Sequence, residues 1–574
     1  MKKILTLSLS TLLLLASCNA KTEESSKEEL SSESNTVELS SLSNEIISSE
    51  ESSSEEESTV QTKYQVVDGE VVIDDVANIQ ATNDNYRVFY EIFTGSFSDS
   101  NGDGIGDLKG ILNRLDYLND GNDASGRSLG VEGLWLTPIF KSPTYHKYDV
   151  ADYYTIDPQI GTTNDLIDLV TECHKRNIKV IIDLPINHTS NKCQWYQEFA
   201  AAHRGGDIDN QYYDFYSWYD RDTGNAPSGR RFNQLSGTNH YYECNFDGAM
   251  PELNFDNEDV RQAVLDIAYY YLDLGIDGFR FDAAMYVYYG DNPKSQEFWS
   301  WYIDKLKEKK EDIYTVAEVW AADTITNVYY PSQNCFNFTT SGSEGKITAC
   351  AKGTNAYQYA TYVQSYLQKI KSLNSEAMMV PFVSNHDMDR AAGFLPLSYN
   401  YMQMAANLYI LNSGSPFIYY GEEIGMKGSR GSDNTDANRR LAMLWDDGDT
   451  VKNPTGSTYS KASQKNGTVA TQIGDENSLL NYYKRLIMIR KAHPEIARGS
   501  YTAINIGSIG GFKATYNDST VVVIHNTSFE EVSFDINSIS AANVSILTDY
   551  IGMNKASLEN GILTIGAQTS VILK

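Results

Sequence analysis

The chain has 574 residues, enough for a large core and for two or three domains. Hydrophobic residues make up 41% of it and aromatic residues 12%, so most of the chain is expected to be globular. The formal net charge of −30 argues against a nucleic-acid-binding protein, because such proteins neutralise phosphates with clustered Lys and Arg. The same charge places no restriction on a neutral substrate.

The N-terminus resembles an export signal. A basic dipeptide at positions 2 and 3 precedes an apolar run, Ile4 to Leu15, which is too short to span a membrane. The following "LASC" resembles a bacterial lipobox, in which Cys18 carries a lipid after cleavage. An ordinary secretory cleavage site with an incidental cysteine is the alternative. We predict a lipoprotein signal peptide over residues 1–18 and an exported protein whose only membrane contact is this lipid anchor.

The segment after Cys18 is almost entirely Ser and Glu as far as about residue 64. Such a composition cannot bury enough apolar surface to fold, and its like charges repel one another. We therefore predict a disordered stalk over residues 19–80 that holds the globular body away from the membrane.

Five cysteines remain in the globular part of the chain. An odd number in an exported protein leaves at least one free thiol. The pairings Cys335–Cys350 and Cys193–Cys244 are both open, and no Cys/His spacing predicts a zinc site. The five are Cys173, Cys193, Cys244, Cys335 and Cys350.

Eight short apolar runs are each followed by a helix-like stretch, which is typical of a closed parallel sheet. The pattern predicts an α/β fold, a (β/α)₈ barrel over residues 81–188 and 255–497, with its active site at the C-terminal strand ends. Residues 189–254, rich in Tyr, Gly and Asp, predict an inserted subdomain after strand 3. Residues 498–574 predict a C-terminal antiparallel β-sandwich. The eight runs are Val88–Phe93, Gly133–Phe140, Val180–His188, Gly278–Ala284, Tyr314–Trp320, Cys335–Thr340, Met379–Asp387 and Pro416–Gly425.

Polar side chains end several of these runs, and three of them suit glycosidic chemistry. Alternation along a strand places Arg280 and Asp282 on the same side, where the guanidinium keeps the carboxylate ionised, as a nucleophile requires. Glu318 follows apolar neighbours, which favour the protonated form of a general acid. Two such carboxyl groups, one nucleophile and one acid/base, form the site of a retaining glycosidase.

Four motifs in order resemble the α-amylase family, glycoside hydrolase family 13: "DLPINH", "GFRFDAAMY", "EVW" and "FVSNHD". The resemblance runs from about residue 85 to the C-terminus. It implies Asp282 as nucleophile, Glu318 as acid/base and Asp387 as the group that stabilises the transition state. It also implies a substrate-binding set at the cleaved sugar, with Tyr148 stacking beneath it: Tyr148, His188, Arg280 and His386.

The stretch "FSDSNGDGIGDLKG" contains closely spaced oxygen ligands and glycines. An EF-hand loop is one interpretation, but Gly110 occupies the position of its bidentate Glu. A tight acidic surface turn is another. The resemblance to the family implies a structural Ca²⁺ site, whose oxygen ligands suit a hard cation. Its implied ligands are Asp99, Asn101, Asp103, the Ile105 carbonyl and Asp107.

Two details bear on the activity. Met285-Tyr286 departs from the Lys-His of many family members, which puts a second calcium, near Asn187, in doubt.

"MPELN", ending at Asn254, resembles the neopullulanase side of the family, but the N-terminal dimer domain of those enzymes is missing. The resemblance implies a monomeric bacterial lipoprotein α-amylase of the group between oligo-1,6-glucosidases and neopullulanases.

That enzyme would cleave internal α-1,4 bonds of starch and maltooligosaccharides. The alternatives are a cyclomaltodextrinase, neopullulanase or α-glucosidase, and a surface lipoprotein that binds starch without cleaving it. The presence of Arg280, Asp282, Glu318 and Asp387 argues against the last of these.

Overall fold

The computed structural model describes residues 63–74, 79, 81–539 and 544–574. The predicted signal peptide, Cys18 and most of the predicted stalk lie outside these residues. In the part of the chain that is described, no helix has both the length and the apolar character needed to cross a membrane.

Seven parallel strands form the central sheet, as the barrel prediction requires. Residues 379–381 close the circle, because Val380 forms a parallel bridge with Phe336 and the Phe417 N–H donates to the Pro381 carbonyl at 3.0 Å. The predicted seventh strand is thus reduced to a bridge, since Pro381 has no N–H to extend a ladder. In spatial order the strands are Asn334–Cys335, Tyr314–Ala317, Gly278–Phe281, Lys179–Leu184, Gly133–Leu136, Phe89–Ile92 and Phe417–Tyr419.

Aromatic side chains fill the interior of this barrel. Phe89 stacks on Phe417 with ring centroids 4.7 Å apart, and Trp135 and Phe336 pack beside them. Gly133 makes room for this layer, because a Cβ there would lie 2.4 Å from the Phe89 ring. The barrel interior is therefore a packed aromatic core beneath the rim where the strands finish.

Helices surround the sheet and begin at side-chain caps where the sequence supplies them. Thr162 and Asp165 form a capping box, and Asn257 caps the helix that follows the insertion. The α-helices are Leu108–Asn113, Leu115–Leu118, Thr163–Lys175, Gln194–Gly205, Glu258–Asp273, Asn292–Lys309, Asp323–Thr326, Lys346–Ala351, Ala356–Leu373, Ala391–Phe394, Tyr401–Ile410, Val469–Gln472, Leu479–Ala492 and Pro494–Arg498.

The predicted insertion contains the helix Gln194–Gly205 and a small antiparallel sheet with His240–Glu243 in its centre, between Trp218–Asp220 and Phe232–Gln234. A bridge between His188 and Glu252 joins its two ends at the barrel rim. A separate ribbon near the same rim pairs Phe140–Lys141 with Asp152–Ile156.

The C-terminal region is antiparallel, as predicted, and consists of two sheets around a shared core that includes Val522, Leu563 and Val571. The five-stranded sheet contains, in spatial order, Ser500–Ile506, Ile509–Tyr516, Ser519–Asn526, Thr569–Leu573 and Leu547–Gly552. The three-stranded sheet contains Val532–Asp535, Ile562–Ile565 and Ala556–Glu559.

Part of the predicted disordered stalk is ordered. Lys63–Val67 and Glu70–Asp74 form an antiparallel hairpin, and Val71 and Ile73 are buried against Met488. The stalk prediction to residue 80 is therefore wrong for this segment, because its valines and isoleucine provide an apolar face that the preceding Ser/Glu tract lacks.

The described cysteines form no disulfide. All five are buried free thiols, so neither of the pairings left open by the sequence is present. Burial raises the pKa of Cys335 well above its ordinary value and that of Cys244 to about 11, which makes both thiols unreactive near neutral pH.

Candidate active site

Two neighbouring strands bring the predicted nucleophile and acid together. Asp282 directly follows Gly278–Phe281 and Glu318 directly follows Tyr314–Ala317, and Phe281 pairs with Ala317 in register. The residue after Asp282, Ala283, has a left-handed backbone (φ 43°), and its N–H donates to Glu318 Oε2 at 2.9 Å. This strained turn fixes the Glu318 carboxyl beside the Asp282 strand end.

Arg280 is the centre of the charge arrangement and is fully buried. Its Nη1 lies 2.6 Å from Asp282 Oδ1 and 2.7 Å from Asp183 Oδ1, and its Nη2 lies 3.1 Å from Glu318 Oε2. The predicted approach of Arg280 to Asp282 is thus present. One guanidinium cannot neutralise three ionised carboxylates, so this group favours retaining a proton on one of its acids.

The pKa shifts agree with that charge count. Burial raises the pKa of Glu318, and although Arg280 opposes the shift, Asp282 and Asp387 add to it. Burial likewise raises the pKa of Asp183 to about 7 despite Arg280. Glu318 therefore holds a proton more readily than an exposed glutamate, as a general acid must.

Asp387 is held in the opposite state. Burial alone would raise its pKa, but His386 and Arg440 lower it well below the ordinary value. His386 Nε2 lies 2.9 Å from Asp387 Oδ2, and Arg440 Nη2 lies 2.5 Å from Asp387 Oδ1. Glu91 accepts from His386 Nδ1 at 2.5 Å. Burial would lower the pKa of His386, but the two carboxylates raise it to about 10, so the imidazole is a cation at neutral pH.

The remaining predicted sugar-binding residues lie beside these acids. The Tyr148 hydroxyl donates to Asp183 at 2.8 Å and lies 2.7 Å from His386 Nε2, with the two rings stacked. His188 Nε2 contacts the Tyr148 carbonyl at 3.2 Å, and its Nδ1 has no partner among the described residues. Burial lowers the pKa of His188, so a neutral ring offers Nδ1 to a sugar hydroxyl.

Five of the predicted side chains line a cleft of about 840 Å³ at the C-terminal strand ends: Tyr148, His188, Asp282, Glu318 and Asp387. The predicted Arg280 and His386 are fully buried and do not line it. Two exposed aromatic side chains belong to it, Phe246 (43% exposed) and Trp320 (53% exposed), and Trp320 stacks on Phe338 at 4.8 Å. Aromatic rings and carboxyl groups in one cleft suit a neutral, ring-shaped substrate with many hydroxyls.

The predicted calcium loop has an oxygen-rich donor set, which suits Ca²⁺. In the structure, however, Asp99, Asn101 and Asp103 accept backbone N–H groups of the loop itself, and Asp107 accepts from Gly110 as a helix N-cap. No described group of three or more His, Cys, Asp or Glu side chains is arranged for a metal ion. The calcium site stays a prediction on its chemistry alone.

Asn187, which was considered for a second calcium, donates to Glu252 Oε2 at 3.0 Å. Burial, followed by the charge of Glu243, raises the pKa of Glu252 well above its ordinary value. The Asn187 amide nitrogen is thus satisfied, whereas its buried Oδ1 has no partner among the described residues.

Sequence reasoning missed three residues that contact this site: Asp183, Glu91 and Arg440. Asp183 lies inside the motif "DLPINH", and an acid within an otherwise apolar strand was its signal. Glu91, in "VFYEIF", carried the same signal. Arg440 lies 53 positions after Asp387, in a loop without strand or helix pattern, and nothing local distinguishes it.

Comparison with known proteins agrees with this geometry. The family model described as the α-amylase catalytic domain matches residues 91–499. The chain is 33% identical over 494 residues to Alpha-amylase 3 of Dictyoglomus thermophilum, covering 85% of this chain and 93% of the relative. It is 29% identical over 573 residues to an oligo-1,6-glucosidase of Bacillus cereus, covering 85% and 98%.

Among solved structures, Eubacterium rectale Amy13B superposes with a TM-score of 0.79 at 35% identity, covering 87% of this chain and 97% of that chain. The chain therefore belongs to the α-amylase family of glycoside hydrolases and is an enzyme of the α-amylase type.

Proposed function

We propose that this enzyme hydrolyses internal α-1,4-glucosidic bonds of starch and maltooligosaccharides with retention of anomeric configuration. The observation that carries the proposal is the pair Asp282 and Glu318 on one guanidinium, with the pKa of Glu318 raised by burial. A nucleophile and a protonated acid at adjacent strand ends are the two groups that double displacement requires.

In the proposed reaction, Asp282 attacks the anomeric carbon while Glu318 donates its proton to the departing glycosidic oxygen. The sugar is then bound to Asp282 as an ester. Glu318, now ionised, takes a proton from water, which displaces Asp282 and restores both groups. Asp387, kept ionised by His386 and Arg440, accepts hydroxyls of the distorted sugar and stabilises positive charge at its ring.

The test is a product profile from amylose, pullulan, β-cyclodextrin and isomaltose, with the anomeric configuration followed by NMR. We expect a rapid loss of amylose viscosity, α-configured maltooligosaccharides, and loss of this activity in Asp282→Asn but not in Asp304→Asn, an exposed helical aspartate. Preference for cyclodextrin or pullulan would indicate a cyclomaltodextrinase or neopullulanase, and preference for isomaltose an α-glucosidase. Initial β-configured products would contradict the retaining mechanism.

We further propose that the loop at Asp99–Asp107 binds a structural Ca²⁺ ion. Its support is the oxygen donor set, and the ion would stabilise the barrel rim without taking part in catalysis. Chelation should then lower the unfolding temperature by about 5 °C, because a ligand at 100 times its Kd stabilises by about 2.7 kcal/mol. Ca²⁺ should restore the wild type but not Asp103→Ala. An unfolding temperature that chelation leaves unchanged would contradict the proposal.

We also propose an exported monomer anchored through lipid on Cys18, on the support of the "LASC" sequence and the basic, apolar N-terminus. In a bacterial host, wild-type enzyme should label with palmitate, whereas Cys18→Ser should lose the label and leave the membrane fraction. Activity confined to the cytosol would contradict export, and a dimer in sedimentation would contradict the monomer.

A further inference from the structure

A second pocket lies between the N-terminal hairpin, two barrel helices and the C-terminal region. Its volume is about 410 Å³, and it shares no lining residue with the cleft. Tyr64 of the hairpin, Gln403 of the helix Tyr401–Ile410 and Arg485 of the helix Leu479–Ala492 line it. We call this the hairpin pocket.

Amide side chains dominate the polar lining of the hairpin pocket. Each amide offers both hydrogen-bond donors and an acceptor, which suits a ligand whose hydroxyl groups do the same. The charged lining consists of Arg485 with Asp475 and Glu476, so the pocket has no excess of positive charge for an anion. The six amides are those of Asn400, Gln403, Asn466, Gln472, Asn477 and Asn481.

Three of the lining side chains have a buried polar atom that no described residue satisfies. They are two acceptors, Gln403 Oε1 and Asn481 Oδ1, and one donor, Arg485 Nε. Asn481 is only 2% exposed, and its Nδ2 is fixed by the carbonyls of Gln472, Ile473 and Asp475. Buried polar groups in proteins are rarely left unpaired, so acceptors and a donor in one pocket indicate a ligand rich in hydroxyls.

The hairpin adds an aromatic ring to this polar surface. Tyr64 is 40% exposed and pairs with Ile73 across the two strands, and both residues line the pocket. An exposed ring beside amide groups is suited to a sugar, whose apolar face packs on the ring while its hydroxyls reach the amides. A volume of about 410 Å³ is at the small end of ligand pockets and limits the ligand to a few sugar units.

We propose that the hairpin pocket binds a short maltooligosaccharide of about two or three glucose units at a site separate from the cleft. The class of ligand, neutral and rich in hydroxyls, follows from the pocket itself. The choice of glucose units rests on the proposed function, because starch hydrolysis supplies maltose and maltotriose at the enzyme. A sugar bound between Tyr64 and the two barrel helices stabilises the hairpin against the barrel.

Hydrogen exchange followed by mass spectrometry tests this proposal in the full chain carrying Asp282→Asn, which prevents turnover of the sugar. Maltotriose at ten times its dissociation constant should slow exchange in the hairpin strands Lys63–Val67 and Glu70–Asp74 about tenfold. The reason is that a hairpin opening that releases the sugar becomes rarer by about that factor. Peptides around Glu318 report binding in the cleft separately, and sorbitol at the same concentration is the control for a general effect of polyols.

Two substitutions remove single contacts from the pocket. Tyr64→Ala and Gln403→Leu should each weaken the binding that protects the hairpin about fivefold, the effect of losing one contact of about 1 kcal/mol. Exchange around Glu318 should respond to maltotriose as before. Tyr64→Phe keeps the ring and should keep the affinity, and Gln358→Leu, at an exposed helical glutamine outside the pocket, should change nothing.

Slower exchange around Glu318 alone would overturn the second site. Equal protection by sorbitol would overturn the assignment to maltooligosaccharides, and unchanged affinity in both Tyr64→Ala and Gln403→Leu would place the sugar elsewhere than in the hairpin pocket. Protection of the hairpin by maltotriose in a protein whose wild type hydrolyses no glucan would support the pocket and contradict the proposed function instead.

Discussion

The barrel contains two groups of buried carboxyl groups in opposite surroundings. Asp183, Asp282 and Glu318 share the Arg280 guanidinium, and Asp282 and Glu318 open into the cleft. Glu422 and Glu423 form no ion pair among the described residues and are capped by tyrosine hydroxyls instead. The caps on Glu422 are Tyr409 at 2.6 Å and Tyr483 at 2.9 Å, and those on Glu423 are Tyr90 at 2.7 Å and Tyr117 at 2.6 Å.

Burial raises the pKa in both groups: that of Glu422 to about 7, and those of Glu423 and Glu318 above their ordinary values. A perturbed carboxyl pKa therefore does not by itself identify the catalytic acid in this protein. What distinguishes Glu318 is its shared cation, its neighbouring nucleophile and its access to the cleft. Glu422 has a raised pKa but does not line the cleft.

The largest expected effect comes from the same substitution made in each group. Glu318→Gln should lower starch hydrolysis by about 10³-fold, because it removes the proton donor without changing side-chain size. It should spare kcat/KM for α-maltosyl fluoride far more, because this constant reports the first displacement and fluoride leaves without strong acid assistance. Glu422→Gln should change either rate by less than about fivefold. If both variants lost the same amount of starch hydrolysis, Glu318 would contribute to the structure of the protein rather than to proton transfer.

A smaller effect is expected at Arg440, which keeps Asp387 ionised. Arg440→Gln removes a charged contact worth about 1.5–3 kcal/mol, so kcat/KM should fall about 10- to 100-fold. Because the pKa of Asp387 rises when this cation is lost, the acidic limb of the pH profile should move to higher pH. The matched variant is Arg439→Gln, which should leave that limb in place. The Arg439 guanidinium pairs with Asp389 and Asp436, and of Asp387 it contacts the backbone carbonyl rather than the carboxylate. An unmoved limb in Arg440→Gln would contradict this electrostatic role.

Local pattern was enough to place Asp282 and Glu318, because strand alternation and adjacent strand ends are properties of short segments. It also led to strands that were too long. The predicted strand Gly133–Phe140 ends at Leu136 in the barrel sheet, and Phe140 belongs instead to the ribbon that pairs with Asp152–Ile156.

Side-chain contacts between residues far apart in the sequence could not be predicted from local pattern. Glu91 and His386 lie 295 positions apart, and only closure of the barrel brings them together. The tyrosine caps of Glu422 come from helices on either side of it along the chain, so nothing near "GEEIG" indicates how its acids are satisfied. Such contacts depend on the assembled fold and not on the period of any one segment.

The last prediction concerns stability, and it follows from the tyrosine-capped pair Glu422 and Glu423. The folded protein raises the pKa of Glu422 from 4.5 to about 7, so between these values the native state binds a proton that the unfolded chain has released. Its stabilising contribution is complete below pH 4.5 and is lost as pH rises through 7. Glutamine carries no such proton. Relative to wild type, Glu422→Gln should therefore gain stability with rising pH, by at most about 3 kcal/mol.

Urea unfolding of both proteins at pH 5.5 and pH 8 measures this difference, with Glu530→Gln as the exposed control. The control should give the same difference from wild type at both pH values, because Glu530 is exposed on the surface. A constant difference for Glu422→Gln as well would mean that the tyrosine hydroxyls keep Glu422 ionised throughout. The tyrosine hydroxyls would then stabilise an ionised Glu422, as the Arg280 guanidinium stabilises the carboxylates of the active site.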